Sequence, residues 1–121
     1  ASLSDLEKYL AVFWGDQSGA ADPPLVSEAT LAELLRPRLG QYACGWGVVR
    51  DGQGGVVLSH DGSNGMFYCS IAVLPGPKDA VIVMTNRGDG RSGAMVNELM
   101  AYFGGRFLAT PEDGASTAPS P

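Results

Sequence analysis

The sequence predicts an α+β domain in which helices pack on an antiparallel meander of about four strands. Three observations predict it. Apolar residues recur at helical spacing near both ends of the chain. After Gly40 the pattern changes to short runs rich in β-branched and aromatic residues. The links Asp51-Gly52-Gln53-Gly54 and Pro75-Gly76-Pro77-Lys78-Asp79 suit tight hairpins and are too short for crossover helices.

Taken in order, Ser4 with Glu7 three residues on reads as a helix cap, followed by apolar Leu6, Tyr9, Leu10, Phe13 and Trp14. That helix is expected to end at Gly15. Asp16–Pro24 is loop chemistry, and Ser27 caps a second, shorter helix through Leu31, Leu34 and Leu35 that Pro37 stops. The expected strands are Tyr42–Arg50, Gly55–Ser59, Met66–Leu74 and Ala80–Thr85. From Arg91 onward Met95, Val96, Leu99, Met100, Phe103 and Phe107 give one broad apolar stripe, expected to cover a face of the sheet. Trp46 and Phe67 read as core, and Tyr9, Phe13, Phe103 and Phe107 as packing. From Thr110 the chain turns to Pro, Ser, Thr, Gly and Ala, so 1–109 reads as the folded domain and 110–121 as a flexible tail.

Composition removes several functions. Of 121 residues, 45% are hydrophobic and 17% charged, an ordinary globular balance for one domain. The net charge is -5 with 8 Lys+Arg and no basic cluster, which argues against nucleic acid or anionic lipid as a partner. The longest apolar runs, Ile71–Leu74 and Val81–Met84, are far short of the roughly 20 residues of a membrane span. One histidine without acids at ligand spacing implies no metal, and nothing implies a cofactor. Cys44 and Cys69 are expected as buried thiols in strands. If the strands pair in sequence order, their Cα atoms stand roughly 9 to 10 Å apart, beyond disulfide reach.

The chemistry-bearing stretch is Ser59-His60-Asp61-Gly62-Ser63-Asn64-Gly65-Met66-Phe67-Tyr68. It places the sole histidine at the end of a strand, with glycines that let a ligand approach the backbone. That context favours a functional His60 over a satisfied structural one. Asp61 suits either a turn cap or a substrate contact. Asn86 and Arg87 end the fourth run, where they either bind a carboxylate or close the strand at the surface.

Three segments in this order, Tyr42-Ala43-Cys44-Gly45-Trp46-Gly47, His60-Asp61-Gly62 leading to Gly65-Met66-Phe67-Tyr68, and a strand ending Thr85-Asn86, resemble the C-terminal part of the serine β-lactamase and D-alanyl-D-alanine carboxypeptidase family. The class C-like and esterase-like members are the nearest in pattern. The Ser-x-x-Asp-Leu helix at the start also fits, and the resemblance spans nearly everything from Ser2 to Phe107. It implies the C-terminal part of a β-lactamase-like fold, with His60, Asp61 and Gly62 at the Lys-Thr-Gly positions and the backbone N–H of Ser63 as an oxyanion-hole donor. His60 then binds a substrate carboxylate or tunes the proton network, and Asp61, Asn64 and Arg87 become candidate substrate contacts. His in place of Lys moves the expectation toward peptidase, esterase or amidase activity.

The family's Ser-x-x-Lys nucleophile is absent, since no serine here has Lys three residues on. Tyr-x-Asn is absent too. The resemblance therefore implies a chain inactive alone, completed by the remaining part of a parent hydrolase acting on a β-lactam, D-amino-acid peptide or ester, in the periplasm or outside the cell. The alternative is a non-catalytic binding module that kept the fold. An incomplete sheet further predicts a homo-oligomer through an open edge.

Overall fold

In the computed structural model, which describes residues 2–14, 25–50 and 54–108, helix α1 (Leu3–Leu10) is capped by Ser2 rather than Ser4. Both serines have an acid three residues on. Asp5 closes the box at Ser2, accepting from the Ser2 N–H at 2.8 Å and the Ser2 hydroxyl at 2.9 Å, while its own N–H donates back to Ser2 Oγ. A turn of 3₁₀ helix, Ala11–Trp14, continues α1. Helix α2 (Glu28–Leu34) has the expected Ser27 cap and stops ahead of Pro37. The loop expected over Asp16–Pro24, the turn at 51–53, the tail from Thr110 and the side chain of Phe107 lie outside the described residues.

Four antiparallel strands follow in the order β1-β2-β3-β4: β1 (Gly47–Arg50), β2 (Val56–Ser63), β3 (Tyr68–Leu74) and β4 (Asp79–Thr85). With the helices, they form the α+β meander that the sequence predicts. β3 begins at Tyr68 rather than Met66, the starts of β2 and β4 shift by one residue, and two boundaries differ by more. Tyr42–Trp46 is not strand, because Gly45 turns the backbone at φ 85° and Ala43 N–H closes a turn on the Trp46 carbonyl at 2.8 Å. Cys44 is accordingly exposed and outside any strand, contrary to expectation. β2, by contrast, runs on to Ser63, pairing His60 with Ile71, Asp61 with Ser70, Gly62 with Cys69 and Ser63 with Tyr68. His60 therefore sits inside the strand instead of ending it.

One face of the sheet carries Leu58, Ile71 and Val73 into a core with Leu10, Phe13, Ala43 and Trp46, supported by Leu31, Leu35, Ala80 and Ile82. Phe13 meets Trp46 edge on at 5.0 Å between centroids, and Tyr9 meets Phe13 likewise at 5.5 Å. The opposite face is covered by α3 (Gly90–Leu108), which runs against β4 and β3. Among its described side chains only the narrow stripe of Ser92 and Val96 is fully buried. Met95, Leu99 and Phe103 stay exposed, so the broad stripe expected from the sequence is split between sheet and solvent. Phe67, expected in the core, is also exposed, where it closes the β2–β3 turn.

Asp89 starts α3, its Oδ1 accepting from the N–H groups of Arg91 and Ser92 at 3.1 and 3.0 Å. Arg87 donates to Asp89 through Nε at 2.6 Å, and this bond together with the Ser92 N–H holds the Asp89 carboxyl below its ordinary 3.8. A lowered folded-state pKa means the stabilisation is complete above 3.8 and disappears as pH falls through the lower folded value. Asp89→Asn, which keeps the cap but cannot titrate, is expected to flatten the acid limb of helical circular dichroism below pH 3.8. Superimposable acid limbs for the two proteins would remove the linkage.

Candidate functional site

Hydrogen-bond phase decides what the His60–Ser63 run presents. Neighbouring residues along an antiparallel strand alternate between bonding one side and the other. Asn64 N–H donates to the Phe67 carbonyl at 3.4 Å, which places Gly62, His60 and Leu58 as the residues that exchange bonds with Cys69, Ile71 and Val73. Asp61 and Ser63 therefore turn their N–H and C=O away from β3. β1 reaches only as far as Ser59, opposite Gly47, and the chain then swings off at Gly45. The amides of Asp61 and Ser63 thus face an edge of β2 that is open among the described residues.

Side chains alternate across the same strand. His60 and Gly62 lie on the core face, Asp61 and Ser63 on the face that carries α3. The His60 ring is exposed and stands edge to face with Trp46, centroids 6.2 Å apart, at the mouth of a cavity of about 260 Å3 shared with Tyr9, Cys44 and Ile71. Among the described residues no hydroxyl or thiol hydrogen-bonds to His60. Gly62 begins a second hollow on this face, a groove of about 440 Å3 lined by Phe67, Cys69, Met84 and Asn86 among others. Burial pushes the Cys69 thiol up, and the Asp61 carboxylate adds to the shift.

The remaining predicted residues are occupied structurally. Asp61 accepts from the buried Ser70 hydroxyl at 2.5 Å, a bond between neighbouring strands rather than a turn cap. Ser63 Oγ donates to the Phe67 carbonyl at 2.9 Å and accepts from Gly65 N–H at 3.1 Å, which leaves its backbone N–H as the part available for other work. Asn64 Oδ1 accepts from the N–H groups of Met66 and Phe67 at 3.0 and 2.9 Å and holds the hairpin turn, where Gly65 takes φ 83°. Arg87 is tied to Asp89. The structure thus places His60 and Gly62 on one face of β2 and Asp61 on the other, with the Ser63 amide at the strand's edge and Arg87 tied to Asp89.

Sequence reasoning missed Gly88. A Cβ built there would lie 2.6 Å from the Gly65 carbonyl carbon and 2.8 Å from both the Gly65 oxygen and the Met66 nitrogen, so the β4–α3 link touches the hairpin backbone to backbone. Gly88 directly after the polar pair Asn86-Arg87 was the only signal, and a glycine in a link is too common to read that way. Among the described residues no cluster of three metal-ligating side chains forms and no helix is long and apolar enough to cross a membrane. Comparison with family models, with curated proteins and with solved structures returned no match.

Proposed function

We propose that this chain forms the sheet side of an acyl-transfer site of the serine β-lactamase and D-alanyl-D-alanine carboxypeptidase type, with the serine nucleophile supplied by another part of its parent hydrolase. The observation that carries the reading is the stretch of β2 from His60 to Ser63, paired with β3 on one side and left unpaired by β1 on the other. It offers an amide at Ser63 to the open edge, where a developing oxyanion gains most from a fixed donor. It offers no side chain at Gly62, so a substrate can lie along the strand and form backbone bonds. His60, on the same strand and in edge contact with the Trp46 ring, stands where a carboxylate or a shuttled proton is within its reach. Substrates of this class are β-lactams, D-amino-acid peptides and small esters.

The apolar groove beside Gly62 favours a second reading, a binding module for peptides that performs no chemistry. A single experiment separates the two. The polypeptide that joins this chain to its upstream coding region is treated with a fluorescent penicillin and, separately, with nitrophenyl esters of small acids. The enzyme reading expects a covalent adduct on a serine of a Ser-x-x-Lys turn and ester turnover that the penicillin blocks. An upstream region without Ser-x-x-Lys and Tyr-x-Asn, together with neither adduct nor turnover, would leave only the binding module.

A further inference from the structure

The β2–β3 hairpin, which carries the Ser63 amide, is held from within and from without. Within it, Ser63 Oγ accepts from the Gly65 N–H at 3.1 Å and donates to the Phe67 carbonyl, and Asn64 Oδ1 accepts from the Met66 and Phe67 N–H groups. From outside, Gly88 lies against the peptide group that joins Gly65 to Met66. A Cβ on Gly88 would stand 2.6 to 2.8 Å from the carbon, oxygen and nitrogen of that peptide, so only a hydrogen fits there. Gly88 has little freedom to give way. The Arg87 N–H donates to Thr85 Oγ1 at 3.2 Å, Thr85 pairs with Tyr68, and Asp89 both accepts from the Arg87 guanidinium and caps α3. The residues on either side of Gly88 are thus fixed, one to the sheet and the other to the helix.

We propose that Gly88 is a positioning residue, the stop against which the hairpin seats so that the Ser63 amide keeps one fixed direction, a role that rests on the reading of that amide as an oxyanion donor. The path is short. Gly88 touches the Gly65 carbonyl group, the Gly65 N–H is bonded to Ser63 Oγ, and Ser63 carries the amide. No side-chain rotation along it absorbs a displacement, because the Ser63 hydroxyl is bonded on both sides and loses one partner if it turns. Asp61 offers an amide to the same edge but is anchored by Ser70, outside this path. Precision matters here because an oxyanion donor acts by being in place before charge develops, and a misplacement of about 1 Å costs on the order of 100-fold in rate.

Gly88→Ala tests the role at two levels. In the 121-residue chain, the amide signals of Gly65 and Met66 in a nitrogen–proton correlation spectrum are expected to shift and that of Ser63 to follow them, with Asp61 unmoved. Should that variant fail to fold, Thr85→Val frees the Arg87 N–H and loosens the stop without crowding it, and is expected to shift the same signals. In the polypeptide that also holds the nucleophile, stopped-flow acylation by a penicillin separates positioning from folding. The acylation rate constant is expected to fall roughly tenfold, with the dissociation constant of the preceding complex and the fraction finally acylated both within about twofold of the parent. An unmoved Ser63 signal in the folded variants, or a lower acylated fraction at an unchanged rate constant, would overturn the role of Gly88 and leave the acyl-transfer reading standing. A shifted Ser63 signal with rate and fraction both unchanged would remove the Ser63 amide from the reaction, and the positioning role with it.

Discussion

Gly88→Val is expected to lower stability by about 1 to 3 kcal/mol, the usual range for forcing atoms into a closed contact. The backbone at Gly88 is not in the left-handed region, so conformation does not forbid a side chain there. Space does. Even the first carbon would fall 2.6 Å from the Gly65 carbonyl carbon, and backbone cannot swing aside as the end of a side chain can. Relief has to come from moving the Ser63–Phe67 hairpin or the start of α3. A lower urea midpoint with an unchanged m value, and amide shifts concentrated at Gly65 and Met66, are the expected readouts. Gly93→Ala serves as the control of opposite sign. A Cβ there meets nothing within 4 Å, and alanine in a helix interior is worth roughly 0.5 to 1 kcal/mol over glycine. Equal midpoints for Gly88→Val and the parent chain would show that the contact does not constrain the hairpin.

The strand count and order were legible because period-two apolar runs and short turn-rich links are local signals. Boundaries were not, and the reasons are specific. Asp61, Gly62, Ser63 and Asn64 are turn formers by local preference, which argued for ending β2 at Ser59. The pairing of His60–Ser63 with Tyr68–Ile71 overrides that preference and carries the strand four residues further. At Tyr42 the error has the opposite sign, since aromatic and apolar residues suggested strand while Gly45 at φ 85° bends the chain away. α3 shows a third limit. Periodicity marks which residues of a helix are apolar, but the width of sheet beneath decides how many are buried. Here that width takes Val96 and leaves Met95 and Leu99 outside.

For the site, residue types were legible and directions were not. His60 and Gly62 on one face with Asp61 on the other follows from strand alternation, yet only once β2 is known to extend through them. The same extension demotes Asp61 and Asn64. Both side chains are used to hold the hairpin that aims the Ser63 amide, a role that the pattern His-Asp-Gly-Ser-Asn cannot announce. The Gly65–Gly88 contact joins residues distant in the chain and needs the completed fold to be seen.

The proposed function makes its sharpest demand at Gly62. A Cβ added there meets only His60 Nε2 at 4.0 Å, so Gly62→Val is expected to leave the fold intact. It would instead project a branched side chain over the strand along which substrate has to lie. In the acylating polypeptide the expected loss of acylation rate is roughly 100-fold or more, the scale set by removing one oxyanion donor, since blocking the approach withholds the Ser63 amide from the reacting carbonyl. Asp61→Asn should change the rate little. Its side chain is on the other face, and an asparagine oxygen can still accept from Ser70. Stopped-flow acylation of both variants, with circular dichroism to verify folding, gives the comparison. The two effects reversed, with Asp61→Asn severe and Gly62→Val mild, would place the chemistry on the α3 face and sink the reading of β2 as an oxyanion edge. A substrate bonded along the free edge takes its backbone bonds from residues 61 and 63 in either case; its body lies on the face of residues 60 and 62 or on the face of residues 61 and 63, and only the first pair includes a position without a side chain.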